Sequence, residues 1–157
     1  MRNIFPWILV LLWMAVIFCL SHQPAEQSNE LSTGITEIII EKVERIAPQA
    51  KLDLERINHV VRKNAHFFAY LLLGVLVLFA LKGSGVREPR SLLLAFFICV
   101  VYAISDETHQ MFVPGRGPGV KDVLIDSSGA AVGIGLAWGV RLLFRSRKYG
   151  DGRKSVP

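Results

Sequence analysis

Residues 92–110 read LLLAFFICVVYAISDETHQ, an apolar run from Leu92 to Ile104 that passes without a break into Ser105, Asp106, Glu107, Thr108, His109 and Gln110. The apolar part alone is shorter than the roughly 20 residues a helix needs to cross about 30 Å of hydrocarbon. It reaches that length only if the polar run is the end of the same helix. Phe67 to Leu81 poses the same problem and has the same answer, with Arg62 to His66 as its polar end. Two further apolar blocks, Ile4 to Leu20 and Val123 to Phe144, complete the set. The expected fold is therefore an all-α bundle of four transmembrane helices, with spans at about 4–21, 62–81, 91–110 and 122–144, followed by a basic tail at 146–157.

Composition agrees. The chain is 52% hydrophobic with a mean hydropathy of +0.40, and its apolar residues lie in blocks where a soluble domain would scatter them. The formal charge of +5 comes largely from the short tail, which suits anionic inner-leaflet lipid better than nucleic acid. Cys19 and Cys99 sit inside different apolar blocks and read as small buried hydrophobes. The first block is longer than a signal-peptide core, and Ser21-His22-Gln23-Pro24 offers no small-x-small cleavage site, so it is expected to stay as a helix.

Lysine and arginine set the orientation. Arg2, the trio Lys82, Arg87 and Arg90, and the cluster from Arg141 to Lys154 all flank the same ends of the spans. The positive-inside rule then puts both termini in the cytoplasm, with His22 to Lys63 and the loop around Arg116 outside. Within that outer segment Ser32 or Thr33 is expected to start an amphipathic helix, with Ile35, Ile38, Ile39, Val43 and Ile46 as its apolar stripe and Pro48 as its end. This extracytoplasmic helix between spans 1 and 2 either packs on the rim of the bundle or caps a polar site. A second amphipathic stretch, from Asp53 on, runs into span 2.

Counted inward from Lys82, Arg90 and Arg141, the residues His66, Glu107 and Asp126 fall about 15 to 17 positions away, or roughly 24 Å of helix. Ionisable groups at one depth in a membrane point to a shared site. Lys63, His66 and Tyr70 lie on one helical face. Asp106 and Gln110 are one turn apart, and Glu107 shares a face with Gln110. Pro114, Gly115, Gly117, Pro118 and Gly119 impose a tight turn that holds Arg116 near the site, either to grip a phosphate or carboxylate or to pair with Glu107 or Asp122. Asp122 and Asp126 open span 4, where the helix dipole favours acids. Gly129, Gly133, Gly135 and Gly139 give two GxxxG spacings for close packing.

These residues, Lys63, His66, Tyr70, Asp106-Glu107, Gln110, Phe112, Pro114-Gly115-Arg116, Asp122 and Gly129, resemble the VanZ-like membrane proteins over about residues 4 to 145. The resemblance implies a multi-pass protein of the bacterial cytoplasmic membrane and a link to teicoplanin resistance through the family's namesake. It does not imply a reaction. Ser21-His22-Gln23-Pro24 resembles the family's Ser-x-Gln-Pro ending of span 1, whereas Asp126 stands where many relatives carry asparagine.

Three functions fit the residues. One is an enzyme on a lipid-linked or anionic envelope molecule, with His66, Glu107 and Asp106 moving protons and Lys63, Tyr70, Gln110, Arg116, Asp122 and Asp126 holding the substrate. The second is a non-catalytic binder of a lipid head group, cell-wall precursor or lipoglycopeptide. The third is a proton-coupled carrier, disfavoured because the acids gather at one level. The expected partners are membrane lipids or a lipid-linked intermediate, and no nucleic acid. No cofactor and no metal is expected, since His66, His109, Glu107 and Asp122 lack any recognised ligand spacing.

Overall fold

The computed structural model describes residues 4–46, 54–117 and 119–151, and among them finds helices and no strand. The helices are α1 (Phe5–Ser21), α2 (Ala25–Ile46), α3 (Leu54–Gly83), α4 (Arg90–Gln110) and α5 (Val120–Asp151). Three segments are long and apolar enough to cross a bilayer: Arg56–Gly83, Arg90–Gln110 and Val120–Phe144. A fourth candidate is α1 taken together with α2 as one sharply bent pair. Phe68, Phe79, Leu93, Phe97 and Phe144 are each more than 60% exposed, a surface that a protein in water rarely presents and that lipid tails cover. This is a multi-pass membrane protein.

The polar runs lie inside helices, as their length required. Arg62 to His66 belong to α3 and Asp106 to Gln110 close α4. The stretch that leads into span 2 is one continuous helix with it from Leu54, and α5 extends through Asp151. The proposed stop at Pro48 and the end of the basic tail lie outside the described residues.

Between helices in lipid, close van der Waals packing does what burial from water does elsewhere. The α3–α5 pair shows how. A Cβ at Gly129 would collide with the carbonyl oxygen of Phe67, one at Gly133 with that of Leu71, and one at Gly74 with that of Ala130. Phe67 meets Gly129 and Leu71 meets Gly133, one turn further along both helices, so α3 and α5 run parallel and α4 is the return stretch that connects them in sequence. Gly135 and Gly139 have open space instead, so the second GxxxG spacing packs against none of the described residues.

Three hydrogen bonds tie α1 to this core, one near its start and two near its middle. Trp7 Nε1 donates to Ser84 Oγ at 2.9 Å, Trp13 Nε1 to the Ala69 carbonyl at 2.9 Å, and Tyr102 Oη to the Met14 carbonyl at 2.6 Å. α1 therefore runs antiparallel to α3 and ends beside the polar end of α4.

The second helix departs from expectation. α2 starts at Ala25, directly after Pro24, with Glu26 in its first turn, so Ser32 and Thr33 lie within it. The hydroxyls of Ser32 and Thr33 accept the helical alternative to capping by donating back to carbonyls three or four residues earlier. Its packing face is polar and small: Ser32 and Thr36 are buried, and Thr36 Oγ1 reaches Asn58 Oδ1 on α3 at 3.4 Å. Ile38 and Ile39 point outward, at 56% and 38% exposure. Small side chains let α2 lie close to α3, which leaves the isoleucines for whatever surrounds the bundle.

Candidate functional site

The register that the glycines impose continues one and two turns toward the polar end. Above the Phe67–Gly129 contact, His66 Nδ1 lies 3.7 Å from Asp126 Oδ1, and Lys63 Nζ lies 2.7 Å from Asp122 Oδ1. Two steps of the α3 helix thus face two steps of α5, each presenting a base to an acid.

The end of α4 adds a second set. Asp106 Oδ2 accepts from Ser21 Oγ at 2.8 Å and from Gln110 Nε2 at 3.2 Å, joining α1 to α4. Glu107 is on the other side of the helix and accepts the backbone N–H of Gly119, so it fastens the start of α5. Glu107 shares one cavity with His66 and Asp126, as their equal depth suggests, but is not the acid closest to them. In the structure it is Asp106 that joins them, with one donor atom from each of the three residues lying within 4.8 Å of the others. Adjacent residues on a helix point about 100° apart, and counting positions from a basic anchor does not distinguish them.

Arg116 takes neither of its two expected partners. Among the described residues its Nη1 donates to Gln110 Oε1 at 3.2 Å and its Nη2 to the Leu20 carbonyl at 3.3 Å. Its Nε is buried without a hydrogen bond. The loop that carries it is fixed by Gly115, whose φ of +77° suits glycine, and by Ala25 N–H donating to the Pro114 carbonyl at 3.3 Å. Burial lowers the pKa of the guanidinium from its ordinary value, the positive charge of Arg62 adds to this, and Asp106 and Glu107 oppose it.

These side chains surround a cavity of about 100 Å³ lined by Lys63, His66, Glu107, Gln110, Arg116, Asp122 and Asp126, together with Arg62. Asp106 is buried at its edge. Tyr70 is also brought to this end but is wholly buried in the core, its ring 6.1 Å from that of Tyr102. Every residue expected at the site is thus near it, and all but Asp106 and Tyr70 line the cavity. His109 turns away. Its Nε2 lies 3.0 Å from Nδ1 of His22, whose ring stacks with that of His109 and with Phe18, while the His109 ring lies tilted against Phe18.

A second cavity, about 270 Å³ and mostly apolar, lies between α1, α2 and α3. Ile17, Leu20, Val61, Ala65 and Ala69 line it, and it shares Arg62, His66 and Arg116 with the polar cavity. Arg62, which donates to Asn29 Oδ1 at 3.3 Å, was not singled out from sequence. Its only signal there is its place beside Lys63, which reads equally well as a second snorkelling anchor. Ser21 was legible only as part of the Ser-x-Gln-Pro resemblance.

A family model described as VanZ/LLP1 matches residues 5–145, which takes in α1 to α4 and most of α5. No curated protein and no solved structure matches the chain.

Proposed function

Because the chain belongs to the VanZ/LLP1 family and joins a polar pocket that holds Arg62, Lys63 and Arg116 to an apolar one, we propose that it binds and acts on an anionic, lipid-linked molecule of the cell envelope at the outer leaflet of the membrane. One observation carries the reading: Arg62, His66 and Arg116 line both cavities. An amphiphile needs that arrangement, with an acidic head among Lys63, Arg62 and Arg116 and its chain among Ile17, Leu20 and Val61. Arg116 is the strongest contributor, since its planar fork binds a phosphate through two parallel hydrogen bonds. Its present acceptors, an amide and a backbone carbonyl, are neutral groups that an anion readily replaces. The family namesake's link to teicoplanin, a lipoglycopeptide, involves a ligand of the same amphiphilic type.

The catalytic form of this reading uses Glu107, which lines the polar cavity, as base, with the cations stabilising developing charge. A carrier is the weaker alternative, because the ionisable groups cluster at one end of the bundle.

Full-length protein in nanodiscs, extracted gently, should retain phosphatidylglycerol or polyprenyl phosphate over phosphatidylcholine by lipid mass spectrometry. Arg116→Ala should cut that retention. Glu107→Gln, which keeps the shape of the side chain, should be mild if the protein only binds and severe if labelled polyprenyl phosphate is turned over. Equal retention of phosphatidylcholine and the phosphate lipids would overturn the proposal.

A further inference from the structure

Two acids and an imidazole meet behind the polar cavity with capacity to spare. Asp106 and Asp126 are 3% and 1% exposed, and each has one carboxylate oxygen, Oδ1, with no hydrogen-bond partner among the described residues. At 3.7 Å, His66 Nδ1 is too far from Asp126 to form a hydrogen bond. A buried carboxylate oxygen left without a donor is costly, and two of them beside each other cost more. Neither of the nearby cations donates a hydrogen bond to these two oxygens: Lys63 pairs with Asp122, and Arg116 uses Nη1 and Nη2 on Gln110 and the Leu20 carbonyl.

A fourth group marks the same place. Among the described residues the hydroxyl of Tyr70, a residue with no exposed surface and one turn along α3 from His66, also lacks a hydrogen-bond partner. Three buried groups, one each from α3, α4 and α5, thus carry unused donor or acceptor capacity. A single dication held between the two carboxylates would serve both at once.

We propose that His66, Asp106 and Asp126 bind a divalent transition-metal cation, zinc or manganese, with Tyr70 beside it. The three ligand atoms lie within 4.8 Å of one another. Donors about 2.1 Å from a shared tetrahedral ion stand roughly 3.4 Å apart, so side-chain rotations of modest size close the site. One imidazole with two carboxylates suits zinc or manganese, whereas magnesium and calcium prefer an all-oxygen shell. No sequence spacing announces such a site, because each ligand comes from a different helix. Two of the ligands, His66 and Asp126, also line the polar cavity, so the ion has an open side facing it.

The test uses full-length protein purified without chelator, stripped with EDTA, and titrated with zinc, manganese, magnesium and calcium chlorides. Calorimetry should find about one zinc or manganese ion per chain, with magnesium and calcium at least about tenfold weaker. Bound manganese should give an altered electron paramagnetic resonance spectrum. Asp126→Asn and His66→Gln should each weaken binding by about tenfold or more, while His22→Ala should leave it unchanged. Thermal melting and gel filtration check that each variant folds, and His66→Gln, at a partly exposed position, serves if Asp126→Asn does not. The proposal is overturned if wild-type protein binds neither zinc nor manganese. It is equally overturned if binding survives His66→Gln or disappears in His22→Ala, which would move the ion to the His22–His109 pair.

Discussion

His66 faces Asp126 across the α3–α5 contact at 3.7 Å, and neither side chain sets that distance. It is set one turn away, where Gly129 lies against the backbone carbonyl of Phe67. A chemically ordinary glycine thus positions the most buried acid in the cavity wall.

Adding a methyl group there should open the site. Gly129→Ala is expected to lower stability by about 1–3 kcal/mol, since backbone, not a flexible side chain, occupies the space. Gly135→Ala meets open space and gains helix propensity, so its melting temperature should be unchanged or higher. Thermal unfolding of both variants in one detergent makes the comparison; equal losses would mean that the glycines are not what sets the approach.

Ser21 joins α1 to α4 through a bond to a buried carboxylate. Its replacement by alanine should cost about 1–3 kcal/mol, because Asp106 Oδ2 then keeps only Gln110. Ser128, exposed and bonded to its own helix, is the control, and Ser128→Ala should change melting little.

The Lys63–Asp122 pair lies closer to solvent, with both side chains about a third exposed. A double-mutant cycle with Lys63→Ala and Asp122→Ala should give a coupling of about 1 kcal/mol or less. The coupling should shrink as salt rises from 0.05 to about 0.5 M. A coupling that ignores salt would place the pair in a drier setting than its exposure indicates.

Gly115 holds Arg116 in place without touching any ligand. Gly115→Ala forces a side chain onto a left-handed backbone at about 1–2 kcal/mol and brings its Cβ to 3.0 Å from that of Ala25. Retention of phosphatidylglycerol should fall nearly as far as in Arg116→Ala, although the guanidinium is still present. Wild-type retention in Gly115→Ala would show that the turn does not position Arg116.

Span content and the polar helix ends were legible in the residues alone. Apolar runs too short to cross a membrane had to borrow Arg62 to His66 and Asp106 to Gln110, and they do. That follows from bilayer thickness and helix rise, which are local quantities. The gathering of Lys63, His66, Gln110, Arg116, Asp122 and Asp126 around one cavity was legible for the same reason, since equal depth is a one-dimensional measure.

Direction around a helix axis was another matter. Whether Asp106 or Glu107 would meet His66, whether His109 would face inward, and which face of α2 would pack all depend on rotations that only neighbouring helices fix. Ser32 and Thr36 face α3 while Ile38 and Ile39 look out, because in a lipid setting apolar side chains gain little by turning inward and small ones allow closer contact. The partners of Arg116 came from tertiary structure as well, through a glycine turn pinned to the start of α2. The amino-acid order by itself determined how far along its helix each charged group lies. Only the packed bundle decided which of them touch, because contact depends on helix rotation and register, which glycines and hydrogen bonds far apart in the chain set together.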